Sequence, residues 1–237
     1  MALLFSGFGL LHNALVYAPS EWRSFRSVYD LAVDAPFAER YLADLLALDD
    51  VKRKSKKLSE RYAQLIIANW YRSVWPQVLG DSGRLLLSYW LYWWRSFTYG
   101  YAFEVQVFRD LEASNIAFRA HNILDRDERR SYYDLEVLGL LGDIKTSFYF
   151  LRSGRSSNLP HDFYITRLRH QRRSRIMVVL MQPAAWEQIN GDAERTTWEA
   201  IRTRLPKIAS LLHKGREVVL VTYQEWKTRV RDEQSNQ

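Results

Sequence analysis

The chain has 237 residues, a net charge of +7 and no Cys. Without Cys, the chain cannot form disulfides, thiolate zinc sites, iron–sulfur clusters or a Cys nucleophile, and we expect it in a reducing cytoplasm. Hydrophobic residues are 47% of the chain, enough for one large or two modest packed domains, and the excess of positive charge favours an anionic partner, either nucleic acid or a membrane surface.

The first 95 residues have a helical pattern. Apolar residues recur at helical spacing over Ala35–Leu48 and Leu58–Val78, and Asp81 is placed to cap a third helix. The apolar stretch Met1–Tyr17 lacks the positive start of a signal peptide, so we expect a buried segment there.

The stretch Leu85–Phe103 comes nearest to a membrane span. Arg95 lies near its middle, and Tyr and Trp dominate where a span would carry Leu, Ile and Val. We therefore predict a core helix in a soluble protein, with Trp90, Trp93 and Trp94 in the core and not on a base-stacking surface.

After Gly100 the pattern changes to a mixture of helices and short strands. We predict a helix over Tyr101–Ala113, an amphipathic helix over Ala193–Leu212, and strands over Ile116–Ile123, Ser131–Leu138, Leu141–Phe150, Phe163–Leu168, Ile176–Met181 and Glu217–Tyr223. This order predicts a mixed α/β domain after an N-terminal helical lobe.

The segment from Tyr132 to Ser147 has the pattern of a β-hairpin. Side chains alternate across a strand, so Asp143 and Lys145 share one face, as do Asp134 and Glu136. A two-residue loop at residues 138–139 would place Asp134 directly opposite Asp143. From the hairpin alone, an ordinary antiparallel pair with one solvated face explains these charges equally well.

Glu104 lies in the middle of an apolar helix stripe. Its neighbours three, four and seven residues away are apolar or Gly, namely Phe97, Gly100, Tyr101, Val107, Phe108 and Leu111. A buried carboxylate needs a cation, a metal or a hydrogen-bond network. The sequence leaves open a metal site or a structural salt bridge to an Arg.

Three carboxylates and a lysine that meet at one place suit phosphodiester hydrolysis. Hard cations such as Mg²⁺ prefer carboxylate oxygen, lower the pKa of a bound water and neutralise charge on a phosphate. Lys145 would steady the attacking water or the charge that develops on phosphorus.

This pattern resembles the PD-(D/E)XK nuclease superfamily. The helix Glu is similar to Glu104 in Tyr-Ala-Phe-Glu, the strand Asp to Asp134, and the acidic-X-Lys to Asp143-Ile-Lys145. The likeness covers residues 97–148, and the order of elements continues to residue 223. It departs from the pattern in lacking a Pro before Asp134, in having Asp at 143 where Glu is commoner, and in showing no obvious helix between Thr146 and His161.

The resemblance implies a restriction-endonuclease-like α/β fold, a mixed sheet flanked by helices, in residues 96–237, with residues 1–95 as a helical accessory domain. It implies Glu104, Asp134, Asp143 and Lys145 as the catalytic set, with the three carboxylates holding Mg²⁺ or Mn²⁺, and an endonuclease acting on DNA. The superfamily serves restriction, defence, recombination, repair and transposition, so the resemblance does not select a pathway. A homodimer or a larger nucleoprotein assembly stays open.

Basic residues follow the predicted catalytic strand. Between residues 152 and 175 there are seven Arg and one acidic residue, a pattern that favours phosphate contact over a solvated loop. The predicted nucleic-acid-binding residues are Arg152, Arg155, Arg167, Arg169, Arg172, Arg173 and Arg175. The basic run at residues 52–57 is predicted to be a solvated helix start, with a phosphate contact as the alternative. The scattered histidines show no metal-ligand spacing.

Two other functions compete with the nuclease. One is a catalytically inactive module of the same fold that holds nucleic acid within a larger assembly, which the intact set of four residues argues against. The other is a membrane-surface protein, which leaves Glu104 unexplained.

Overall fold

The computed structural model describes residues 15–18, 21–24, 35–74, 81–152, 159–170, 174–203 and 208–237. The chain divides into two compact units, Met1–Ala102 and Phe103–Gln237. The boundary expected after residue 95 falls inside a helix, α3 (Asp81–Ala113), whose last residues belong to the second unit.

The first unit contains a hairpin as well as helices. Strands β1 (Leu15–Ala18) and β2 (Glu21–Ser24) pair antiparallel, so the helical prediction for this region was incomplete. Strands of four residues are too short to show a periodicity of their own. Helices α1 (Ala35–Leu46) and α2 (Val51–Asn69) follow, the latter ending in a π-helical turn, Trp70–Val74. The predicted buried segment lies almost wholly outside the described residues.

An aromatic core holds the first unit together. The Trp94 ring contacts Tyr41 and Phe97, with ring centroids 5.2 and 5.6 Å apart, and its Nε1 donates to the carbonyl of Ser59 at 3.2 Å. Trp90 and Trp94 are buried, which confirms the core prediction for them, whereas Trp93 is only partly buried. None of the described helices combines the length and hydropathy that a membrane span requires.

The basic run lies at the start of α2, as predicted. Its Lys and Arg side chains are exposed, and Asp50 caps the helix by accepting a hydrogen bond from the backbone N–H of Arg53 at 3.0 Å. The run therefore behaves as a solvated first turn.

The second unit is a mixed sheet with helices on both faces. Its elements after α3 are β3 (Arg119–Ala120), β4 (Leu135–Val137), β5 (Leu140–Lys145), α4 (Tyr149–Arg152), β6 (Phe163–His170), β7 (Ser174–Met181), α5 (Pro183–Gln188), β8 (Glu194–Arg195), α6 (Trp198–Thr203), β9 (Ile208–His213), β10 (Arg216–Thr222) and α7 (Tyr223–Asn236). The eight strands lie in the order β3-β4-β5-β6-β7-β10-β9-β8. The β5–β6 and β8–β9 pairs are parallel, and the other pairs are antiparallel. The predicted mixed α/β class is confirmed.

Adjacent residues of β6 show how the two faces are covered. Tyr164 belongs to the apolar cluster that includes Leu151 of α4 and Ile201 of α6. Phe163 points to the opposite face and contacts the ring of Trp226 on α7, with centroids 5.3 Å apart. The sheet is therefore buried on both sides, and the polar groups along it need specific partners.

The hairpin of β4 and β5 has the predicted two-residue loop. Val137 pairs with Leu140, and both loop residues have positive φ, 54° at Leu138 and 75° at Gly139. Positive φ at both positions is the geometry that two-residue hairpin turns favour. The regular pairing ends at Leu135 and Gly142, and beyond it the backbone N–H of Asp134 also donates to the carbonyl of Gly142 at 3.0 Å, which keeps Asp134 beside the start of the Asp143–Lys145 segment.

Several predicted elements were wrong in extent or type, and the strands predicted over Ile116–Ile123 and Ser131–Leu138 shorten to β3 and β4. The predicted helix Ala193–Leu212 is instead β8, α6 and β9, because residues 208–213 pair in register with β10 across six positions. Sheet pairing and burial override an apolar pattern that also suits a helix. The predicted strand Leu141–Phe150 ends at Lys145, and α4 supplies the helix that the sequence did not reveal between Thr146 and His161.

Candidate metal centre

Glu104 is buried in the second unit, as its place in the helix stripe predicted. Its side chain is 12% exposed, and Val107 and Leu111 on the same helix face are fully buried. Helix α3 thus carries a carboxylate into an apolar layer, where an unpaired charge is costly.

Glu104 faces a histidine, and not the buried Arg that the sequence left open as its partner. Its Oε2 lies 3.3 Å from Nε2 of His121, which follows β3 directly. The backbone N–H of His121 donates to the carbonyl of Asp134 at 3.1 Å, and its Nδ1 lies 3.8 Å from Oδ1 of Asp134. Glu104, His121 and Asp134 each offer a ligand atom, and these atoms all lie within 4.8 Å of one another. The group could hold a metal ion.

Two atoms of this group face each other without a bond. Neither Oε2 of Glu104 nor Nε2 of His121 has a hydrogen-bond partner among the described residues, although both atoms are buried. A buried polar atom without a partner costs about 1–3 kcal/mol. A cation between the two atoms would satisfy both, so the residues present fit a metal ion.

Asp134 lies beside the other two carboxylates. One of its oxygens, Oδ2, accepts a hydrogen bond from the backbone N–H of Ile144 at 2.7 Å. Burial, the charge of Glu104 and a hydrogen bond with Asp143 together raise the pKa of Asp134 from 3.8 to about 9. Crowded carboxylates with one strongly raised pKa are typical of sites that bind a cation.

Asp143 and Lys145 form an ion pair on one face of β5, which confirms that they share that face. The Lys145 Nζ lies 2.6 Å from a carboxylate oxygen of Asp143. Asp143 is buried, whereas the Lys145 side chain is 41% exposed and can reach solvent. The structure therefore brings the four predicted residues into one region, with Asp134 as the link between Glu104 and Asp143.

A second histidine that the sequence did not single out lies beside Asp143. His161 is buried just before β6, with Nδ1 3.9 Å from Oδ2 of Asp143 and 3.0 Å from the hydroxyl of Tyr164. Its Nε2 bonds to the backbone carbonyl of Tyr132. The ring thus ties the β3–β4 connection to β6 behind the acidic cluster.

The structure describes few of the predicted phosphate-binding Arg side chains. Arg167 is half-buried, stacks over the Phe103 ring at 4.0 Å and donates to Oε1 of Gln106 at 2.8 Å, so its guanidinium is engaged within the domain. Arg169 and Arg175 are paired on β6 and β7, and Arg152 ends α4. The remaining three, Arg155, Arg172 and Arg173, lie outside the described residues.

The raised pKa of Asp134 predicts how stability depends on pH without metal. Because the folded state holds this proton more tightly than the unfolded state, stability should fall as pH rises from about 4 towards 9. Asp134→Asn keeps an oxygen for the Ile144 N–H and removes the titration. Urea unfolding in chelator from pH 5 to 8 should show a shallower decline for the variant. Equal slopes in the two proteins would contradict the assignment.

Comparison of the chain with protein-family models, with curated proteins and with solved structures finds no match.

Proposed function

We propose that the chain is a divalent-cation-dependent nuclease that hydrolyses phosphodiester bonds in DNA. The observation that carries the proposal is the position of Asp134, which lies close to both Glu104 and Asp143 and so links the buried Glu–His pair to the Asp–Lys pair. The elements around the site follow the order that the PD-(D/E)XK resemblance implies, namely helix α3, three strands, α4 and β6. This order supports the same function.

Each residue of the proposed site has a distinct task. Glu104, Asp134 and Asp143 would hold the ion, which supplies an activated water and neutralises charge on the phosphate. Lys145 is exposed enough to leave Asp143 and pair with a phosphate oxygen or hold the attacking water. His161 lies beside Asp143, with its ring nitrogens engaged by Tyr164 and the Tyr132 carbonyl.

The direct experiment is a cleavage assay with the purified full chain. Supercoiled plasmid, linear duplex, single-stranded DNA and RNA are incubated with Mg²⁺, Mn²⁺ or chelator. We expect cleavage of DNA that requires a metal and returns when metal is added back after chelation. Tight binding of nucleic acid with no cleavage under any condition would favour the inactive module instead.

The Arg residues of β6, of β7 and of the sequence between them should supply electrostatic affinity for DNA. Lys145, the last residue of β5, pairs with Thr166 of β6, and β6 continues past Thr166 to His170. This end of β6 therefore extends beyond the proposed catalytic lysine. Neutralising Arg169, Arg172, Arg173 and Arg175 should reduce the slope of log K against log salt by about 0.9 per lost contact with duplex DNA. Arg167→Gln is the matched control, since that guanidinium already contacts Phe103 and Gln106. An unchanged slope in the fourfold variant would place the groove elsewhere.

A further inference from the structure

His121 is the buried side chain that the proposed carboxylate site does not use. It is 5% exposed, and its Nε2 faces Oε2 of Glu104 at 3.3 Å without a hydrogen bond to any described residue. The His121 backbone N–H donates to the Asp134 carbonyl, which positions the residue beside Asp134, and the ring makes an edge contact with Phe108. A fixed imidazole nitrogen therefore points at the carboxylate cluster.

We infer that His121 Nε2 is a direct ligand of the metal ion, and that the site consequently binds Mn²⁺ more tightly than Mg²⁺. The inference rests on the metal centre of the proposed function and not on the reaction. It adds a nitrogen ligand to the three carboxylates expected from the sequence.

The distances around His121 suit ligation. Two ligands bound to one ion at about 2.1 Å, at angles between 90° and 110°, lie roughly 3.0–3.4 Å apart. The separation of 3.3 Å between His121 Nε2 and Glu104 Oε2 falls in this interval. The other ring nitrogen, Nδ1, lies 3.8 Å from Oδ1 of Asp134, which leaves that carboxylate within reach of the same ion.

The ligand chemistry then selects the ion. Mg²⁺ prefers oxygen ligands and gives up its waters reluctantly, whereas imidazole nitrogen favours first-row transition metals. Mn²⁺ accepts carboxylate and imidazole together, so a His ligand increases its advantage over Mg²⁺, although later first-row ions such as Zn²⁺ bind imidazole more strongly. We expect a smaller preference for Mn²⁺ from a purely oxygen site of Glu104, Asp134 and Asp143.

The competing arrangement is a structural one. In it, His121 carries a proton, balances Glu104 and Asp134 as a buried cation, and never contacts a metal. That arrangement predicts that metal binding depends on the carboxylates alone, and that nitrogen is absent from the coordination sphere.

Mn²⁺ itself is the probe that separates the two arrangements. Pulsed EPR of Mn²⁺ bound to the full chain, without nucleic acid, should show modulation from a directly bound ¹⁴N. The signal should be lost in His121→Asn and kept in His213→Asn, a histidine at the β9–β10 turn remote in sequence from the site. Absence of the signal in the unaltered protein would overturn the inference even if His121→Asn folds poorly, and loss of the signal in the variant separates His121 from His161, which lies beside Asp143.

Calorimetric titrations of the same proteins with Mn²⁺ and Mg²⁺ complete the test. We expect His121→Asn to weaken Mn²⁺ binding by at least roughly tenfold, since losing even an outer-shell partner costs about 10- to 100-fold, and to weaken Mg²⁺ binding less. Absence of ¹⁴N coupling in the unaltered protein, or equal affinity for the two ions, would overturn the inference. A protein that binds Mn²⁺ through nitrogen but cleaves nothing would refute the nuclease proposal alone.

Discussion

Asp143→Asn should lower metal-dependent cleavage by at least about 100-fold while the protein stays folded. Loss of an outer-shell partner of a metal ligand already costs about 10- to 100-fold in activity, and Asp143 is proposed as a ligand itself. The fold should survive because Asn keeps the shape of the buried side chain, and the half-exposed Lys145 can turn to solvent. Initial cleavage rates at saturating Mn²⁺ measure the effect, with circular dichroism as the check on folding.

Glu136→Gln is the matched control for Asp143→Asn. Glu136 is a carboxylate on the same hairpin, but it pairs with Arg119 at 2.6 Å, and the Arg119 side chain is 71% exposed. An exposed pair of this kind contributes little to stability, and it is not part of the proposed site. We expect near-normal cleavage from this variant. Equal loss in the two variants would point to a general effect of charge on the hairpin and against a catalytic Asp143.

Glu104→Gln should leave the metal-free protein as stable as the parent, or more stable, while metal-dependent activity is lost. The charge of Glu104 is one of the causes that raise the pKa of Asp134, so the metal-free site is strained by repulsion. Gln keeps the shape of the side chain and removes one of the repelling charges. Metal should then no longer raise the melting temperature, because a ligand has been lost.

The structural alternative predicts the opposite sign for Glu104→Gln. If Glu104 serves mainly to neutralise a protonated His121, the variant strands a buried cation, which costs on the order of 3–5 kcal/mol. Thermal melts of the two proteins in chelator and in Mn²⁺ separate the cases. A clear loss of stability in chelator, with cleavage retained in proportion to folded protein, would refute the metal assignment.

The hairpin could be predicted from the sequence because its signals are local. Alternation along β5 fixed the shared face of Asp143 and Lys145, and Leu138-Gly139 is short enough to set the register. The burial of Glu104 was predictable for the same reason, since a helix stripe needs only a few residues of sequence.

His121 could not be placed in this way. The long connection of residues 122–133 separates it from Asp134, and no local rule fixes the pairing across such a loop. Histidine spacing along the chain also misses ligands that come from different elements. The one available signal was the alternation of side chains along the predicted strand Ile116–Ile123, which would place His121 on the strand face directed towards the carboxylates.

The helix predicted over Ala193–Leu212 failed for a related reason. A short apolar run suits either a buried strand or one helix face, and only the partner strand decides between them. Residues 208–213 pair with β10, which is itself paired with β7 in the middle of the sheet. The identity of the partner strand is non-local information, which the periodicity of a single segment does not contain.

The central claim is tested most directly by a titration with Mn²⁺ in which DNA cleavage and melting temperature are both measured on one protein preparation. If the Glu104–Asp134–Asp143 centre binds the ion that performs the reaction, cleavage and thermal stabilisation should rise over the same range of Mn²⁺ concentration, and both should vanish in Glu104→Gln. Cleavage that saturates without any thermal shift, or that persists in Glu104→Gln, would contradict the proposal that this site is a metal-dependent nuclease centre.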